Sequence, residues 1–181
     1  MAALKKQRPT IRIAKRYVRS VELQRDLEDP NALNGYVITP SVRDATHRII
    51  SGLVPSSTHR AFRVTGPYGA GKSAFALFLS RLLGTDKARA KAANALLGRA
   101  SKQTNRIAVY VPVVLVGRRA NLADCIIEAV ATAAAGKQGG KRSAATVKLA
   151  ADLARQRSKG VRNDDRVLAL ISEYAKHCKT G

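Results

Sequence analysis

Residues 66–73 read Gly66-Pro67-Tyr68-Gly69-Ala70-Gly71-Lys72-Ser73, and Ala74-Phe75-Ala76-Leu77-Phe78-Leu79-Ser80-Arg81-Leu82-Leu83 continues them as an apolar run of helix length. The eight residues satisfy the spacing G-x-x-x-x-G-K-[ST] in full. That spacing is constrained because a polyphosphate must be wrapped by backbone N–H groups, and side chains in the loop would hold the backbone away; Gly66, Gly69 and Gly71 remove that obstacle. Lys72 then reaches the outer phosphates as a point charge. Ser73 offers a hydroxyl to Mg²⁺, and the helix that follows directs its positive N-terminal end at the anion. The candidate ligand-binding set is therefore Gly66, Pro67, Tyr68, Gly69, Ala70, Gly71, Lys72, Ser73 and Ala74, with Ser73 as the candidate Mg²⁺ ligand.

A chance match is expected in roughly 1% or fewer of chains this long, so a nucleoside triphosphate with Mg²⁺ is the expected ligand. The motif needs a strand before it and a helix after it. Ala61-Phe62-Arg63-Val64-Thr65 is β-prone, and Ser73–Leu83 is an apolar run closed by Gly84 at a C-cap position. The absence of an Asn/Thr-Lys-x-Asp guanine motif favours ATP.

A chain of 181 residues with 45% hydrophobic content is sufficient for one domain with a core. The longest apolar run, Ile107–Val116, is interrupted by Pro112 and falls short of the ~18 residues a membrane span needs. Met1–Lys6 is basic but leads into Gln7-Arg8-Pro9 rather than an apolar segment, so no secretory signal is read and the cytoplasm is the expected compartment. Cys125 and Cys178 lie far apart, and His47, His59 and His177 are isolated from one another. Neither a disulfide framework nor a zinc site is suggested.

The formal charge of +21 attracts polyanions. Seven basic and no acidic residues fall within the first nineteen, and a second concentration begins at Gly136-Lys137-Gln138-Gly139-Gly140-Lys141-Arg142. Five tyrosines, three phenylalanines and no tryptophan are too few for a base-stacking platform on single strands. Two readings of the charge stay open: contact with nucleic acid, and a solvated basic surface or one that docks on an acidic partner segment.

Along the chain, Asp29-Pro30-Asn31 and Asn34-Gly35 are turn signals, and Pro40 holds Tyr36-Val37-Ile38-Thr39 extended. Ser41 is expected to cap a helix of about twelve residues carrying Val42, Ala45, Ile49 and Ile50 on one face. Thr85 and Asp86 start a helix that runs to Leu97 and stops at Gly98. Arg106–Val116 reads as a strand, at an edge or a bulge because Pro112 cannot donate to a ladder. Asn121 caps a helix to Ala135, and Ser143–Gln156 and Asn163–His177 read as two more, with Leu149, Leu153, Val167, Leu168 and Ile171 as their core positions.

Hydrolysis in a phosphate-loop enzyme needs a second element, an apolar strand ending in an acid. Ile107–Val116 ends in Gly117-Arg118-Arg119; Leu168–Ile171 is followed by Ser172-Glu173 but sits in a helical pattern; Asp124 and Glu128 lie on a helix. No catalytic residue is assigned.

With these residues in hand, Asn34–Leu83 resembles the N-terminal part of large bacterial AAA-like P-loop ATPases, some of them found in phage-defence systems. Gly35–Pro40 and Arg60–Leu77, which contains the Walker A motif, carry the resemblance; it extends through Val113 to Ala135. It implies an α/β fold: a partial P-loop NTPase core with a parallel sheet flanked by helices, the sheet incomplete, followed by a C-terminal helical pair. It also implies segments 1–33 (basic arm), 34–135 (partial P-loop core), 136–142 (basic linker) and 143–181 (helical tail), and a position near adenine for Tyr36, Val37 and Ile38. The acidic Walker B strand is expected where the sequence ends at Lys179-Thr180-Gly181, so the chain is expected to be the N-terminal portion of a longer ATPase. Such a parent works as a homo-oligomer or larger complex. A small phosphotransferase and a nucleotide-regulated nucleic-acid-binding module are the alternative readings.

Overall fold

The computed structural model describes residues 20–98, 110–135, 148, 151–152, 155 and 164–179. In chain order the helices are α1 (Leu23–Asp26), α2 (Pro40–Gly52), α3 (Lys72–Leu82), α4 (Lys87–Leu97), α5 (Leu122–Ala135) and α6 (Asp164–Lys179). Of the expected helix 143–156, residues 148, 151, 152 and 155 are helical and the rest lie outside the described residues, as do residues 1–19 of the basic arm 1–33 and the linker 136–142.

Each boundary has a local cause. Thr39, not Ser41, caps α2: its Oγ1 accepts from the Val42 amide at 3.3 Å, and Pro40 takes the first helical position, where its missing N–H costs nothing. Asp86 caps α4 by accepting from the Ala88 and Arg89 amides, and Gly98 at φ 60° stops it. Asn121 Oδ1 accepts from the Ala123 amide at the start of α5. The last residue of α2, Gly52, is glycine for a steric reason. A Cβ there would stand 2.2 Å from the His59 carbonyl oxygen and 2.3 Å from Phe62 Cζ.

The core is centred on α3. Phe75, Phe78 and Leu82 recur along one row and Leu77 along the next, and all four are buried together with Ile50, Ala93, Leu97 and Leu33. Phe78 is fully enclosed, and side chains of this size contribute about 1.5–3 kcal/mol each when fully buried. α3 packs against α4 and α1, while α5 packs against α6 around Ile127, Val130 and Ile171. Leu168, expected as core, is instead 62% exposed.

Two guanidinium groups fasten the turn after α1 to this core. Arg81 donates through Nη2 to the carbonyls of Asp26, at 3.0 Å, and Asp29, and through Nη1 to Pro30 at 3.1 Å. Arg89 donates to Leu27 and to Glu28. Five consecutive carbonyls, 26 to 30, are thereby satisfied by two side chains. Burial pushes the buried Arg81 guanidinium down from its ordinary value, as does Arg89 beside it; Asp29, Asp86 and Asp26 act in the opposite direction.

The expected α/β fold with a parallel sheet is not what the structure holds. Among the described residues there is no strand and no sheet; the elements are helices joined by irregular segments. Residues 61–65 run without regular structure and are exposed throughout, and 110–118 likewise form no ladder, Arg106–Val109 lying outside the described residues. The physical reason is that β-propensity measures fit to a half-buried pleated surface and becomes a strand only where a neighbour accepts the ladder. Neither segment finds one among the described residues. Tyr110 instead donates its amide to the Leu83 carbonyl at 2.8 Å, which ties the second segment to the end of α3. Phe62, Val64, Val113, Leu115 and Val116 remain 41–51% exposed as a result. No helix of the described residues is long and apolar enough to cross a membrane.

Candidate phosphate-binding site

The helix beginning at Lys72 sets the site. Pro67–Ala70 forms a tight turn, closed by the Ala70 amide on the Pro67 carbonyl at 3.3 Å. Gly69 and Gly71 then take φ of 80° and 81°, in the left-handed region that side chains with a Cβ disfavour. A Cβ at either would meet nothing within 4 Å, so backbone conformation rather than space selects glycine there.

Gly71 is the N-cap of α3 and provides no side-chain cap. The first-turn amides of Lys72, Ser73 and Ala74 therefore have no side-chain acceptor from the cap, an arrangement that favours negative charge at the positive end of the helix dipole. Residues Gly66–Gly71 and Ser73 are exposed, with Tyr68 at 97% standing free of the loop. Lys72 is half-buried because its side chain folds back over the loop: Nζ donates to the Gly66 carbonyl at 2.9 Å and to the Pro67 carbonyl at 2.7 Å. An ammonium has three N–H donors. Two hold the loop closed on its lysine, and one remains for a further acceptor.

The nine residues expected from the motif are thus brought together as one turn and one helix start. They suit a polyphosphate by their chemistry: first-turn amides without a side-chain cap, a helix N-terminus and an ammonium on one exposed turn. Ser73 presents its hydroxyl at the second helical position, where a Mg²⁺ shared with phosphate oxygens is the group it would serve. Among the described residues no cluster of three or more His, Cys, Asp or Glu side chains is placed to hold a metal.

The carboxylates lie elsewhere. Asp26 accepts from the Glu22 amide and from Arg25, and Asp86 caps α4. Glu128 pairs with Arg118, whose guanidinium is held above its ordinary value by hydrogen bonds to Cys125 and then to Glu128. Arg118 is therefore engaged with α5, while Arg119 is exposed.

Tyr36, Val37 and Ile38 divide. Tyr36 stacks at 5.5 Å on Phe78, and both it and Ile38 pack against the main core, whereas Val37 is 72% exposed. Burial pushes the Tyr36 phenol above its usual range, and its hydroxyl has no hydrogen-bond partner among the described residues. Sequence reasoning missed Arg81, near the far end of the phosphate-loop helix, and Arg89 on α4, which together hold the carbonyls of residues 26 to 30. No protein-family model, curated protein or solved structure was found to match the chain.

Proposed function

We propose that this chain is the MgATP-binding module of a larger AAA-like ATPase, acting in the cytoplasm and coupling nucleotide binding to a partner or nucleic-acid transaction. The observation that carries the proposal is the fold-back of Lys72 onto Gly66 and Pro67 at the uncapped start of α3. It assembles an ammonium, a helix N-terminus and two left-handed glycines on one phosphate-sized turn. Gly66–Ala74 bind the phosphates, Lys72 neutralises charge on them, and Ser73 ligates Mg²⁺. The formal charge of +21 supports a polyanionic partner.

Fluorescent ATP analogue titrated into the chain with Mg²⁺ tests this. Saturable binding is expected, weakened at least about 30-fold by Lys72→Ala, since loss of a charged hydrogen-bond donor costs roughly 2 kcal/mol or more. Equal affinity in wild type and Lys72→Ala, with helicity unchanged, would exclude the assignment.

A further inference from the structure

A cavity of about 100 Å³ lies at the far end of α3 from the phosphate loop, among the turn after α1, the start of α4, residues 112–114 and α5. Arg81 in its wall stands about 13 Å along the helix axis from Lys72, so the two sites are distinct. Leu27, Pro112, Val114, Ala129 and Ala133 make much of the surface apolar.

The charged groups of the wall balance. Arg81 and Arg89 stand against Glu28 and Asp86, so a ligand of either sign would meet two like charges and lose its hydration as well. An uncharged molecule meets neither cost. The polar groups that remain both donate and accept. Arg89 spends its guanidinium on the Leu27 and Glu28 carbonyls and on Asp86, while the side chain of Glu28 stays at the exposed rim as an acceptor. Gln24 and Thr85 add a carboxamide and a hydroxyl. Arg81 donates through both Nη atoms to carbonyls; the residue is only 5% exposed, and its Nε–H is enclosed without an acceptor among the described residues. An enclosed donor left unpaired costs free energy that an incoming acceptor recovers.

We propose that the cavity binds an uncharged primary carboxamide on a short hydrocarbon body. The body packs against Leu27, Val114 and Ala133, the amide carbonyl accepts from Arg81 Nε–H, and the amide N–H groups donate to the Glu28 carboxylate at the rim. An apolar cavity of ~150 Å³ takes benzene, so this one encloses about four non-hydrogen atoms. Propionamide has that size, with three carbons and the oxygen inside and the nitrogen at the rim.

The test uses the full chain at constant ionic strength, titrated with propionamide, propionate and propylammonium while the backbone amide resonances of Thr85 and Ala133 and the Arg81 Nε–H resonance are followed. Because that N–H is closed to solvent, its resonance reports entry into the cavity and not contact at the rim. Propionamide is expected to shift all three saturably and to bind at least about tenfold more tightly than either ion. Ala133→Leu, which fills the cavity, is expected to weaken propionamide binding about tenfold or more. If that variant fails to fold, the ranking of the three ligands on the wild-type chain still decides. Propionate or propylammonium binding as tightly as propionamide, an Arg81 Nε–H resonance that does not move, no saturation by propionamide, or unchanged affinity in folded Ala133→Leu would each overturn the proposal.

Discussion

The ammonium of Lys72 and the carbonyl oxygen of Gly66 are joined at 2.9 Å, so the first turn of α3 is tied to the residue that opens its loop. The loop is thereby shaped by its own lysine, and the first-turn amides are presented without a competing side-chain cap. Lys72→Arg tests how specific this tie is. The planar guanidinium is larger and differently directed than a point ammonium, and we expect the variant to remain folded by circular dichroism yet fail to restore nucleotide binding in the fluorescence titration.

Gly71 sits at φ 81° with open space around it. Gly71→Ala is expected to cost about 1–2 kcal/mol in that left-handed conformation, expressed as weaker nucleotide binding together with a lower urea midpoint. A shifted midpoint with full affinity would contradict this.

Gly52 and Gly66 make a contrasting pair. A Cβ at Gly52 collides with the His59 carbonyl and the Phe62 ring, whereas one at Gly66 meets the Ala70 Cβ at an ordinary 3.5 Å. Urea unfolding should show Gly52→Ala destabilised by about 2 kcal/mol or more and Gly66→Ala within about 0.5 kcal/mol of wild type.

Tyr36 gives a pH signature. Its folded-state pKa is raised by burial, so the neutral phenol is favoured in the fold: that contribution is complete below the unfolded value of about 10 and is lost as pH rises through the folded value. Tyr36→Phe keeps the ring on Phe78 and removes a hydroxyl without a partner among the described residues. Thermal melts should show the variant at least as stable as wild type at neutral pH and less sensitive to alkali above about pH 10.

What was legible follows from how far each signal travels along the chain. The loop, α3, the Asp86 cap and the Gly98 stop are local patterns, and the sequence displays them. The parallel sheet was an inference about distant pairing, carried by the resemblance and by β-prone runs at 61–65 and 106–116, and no described residue supplies the pairing. Arg81 and Arg89 were invisible because their partners are backbone carbonyls 51 to 62 residues away, which no side-chain pattern marks. Thr39 displaced Ser41 as a cap because Pro40 is better placed inside the helix than before it.

The central claim is that the start of α3 is a nucleotide phosphate cradle, and amide resonance mapping with MgATP against AMP tests it most directly. We expect saturable shifts concentrated at Gly69, Gly71, Lys72 and Ser73 with MgATP, and almost none there with AMP, which lacks the outer phosphates. Equal shifts with both nucleotides, or shifts that leave these four amides unmoved, would contradict it.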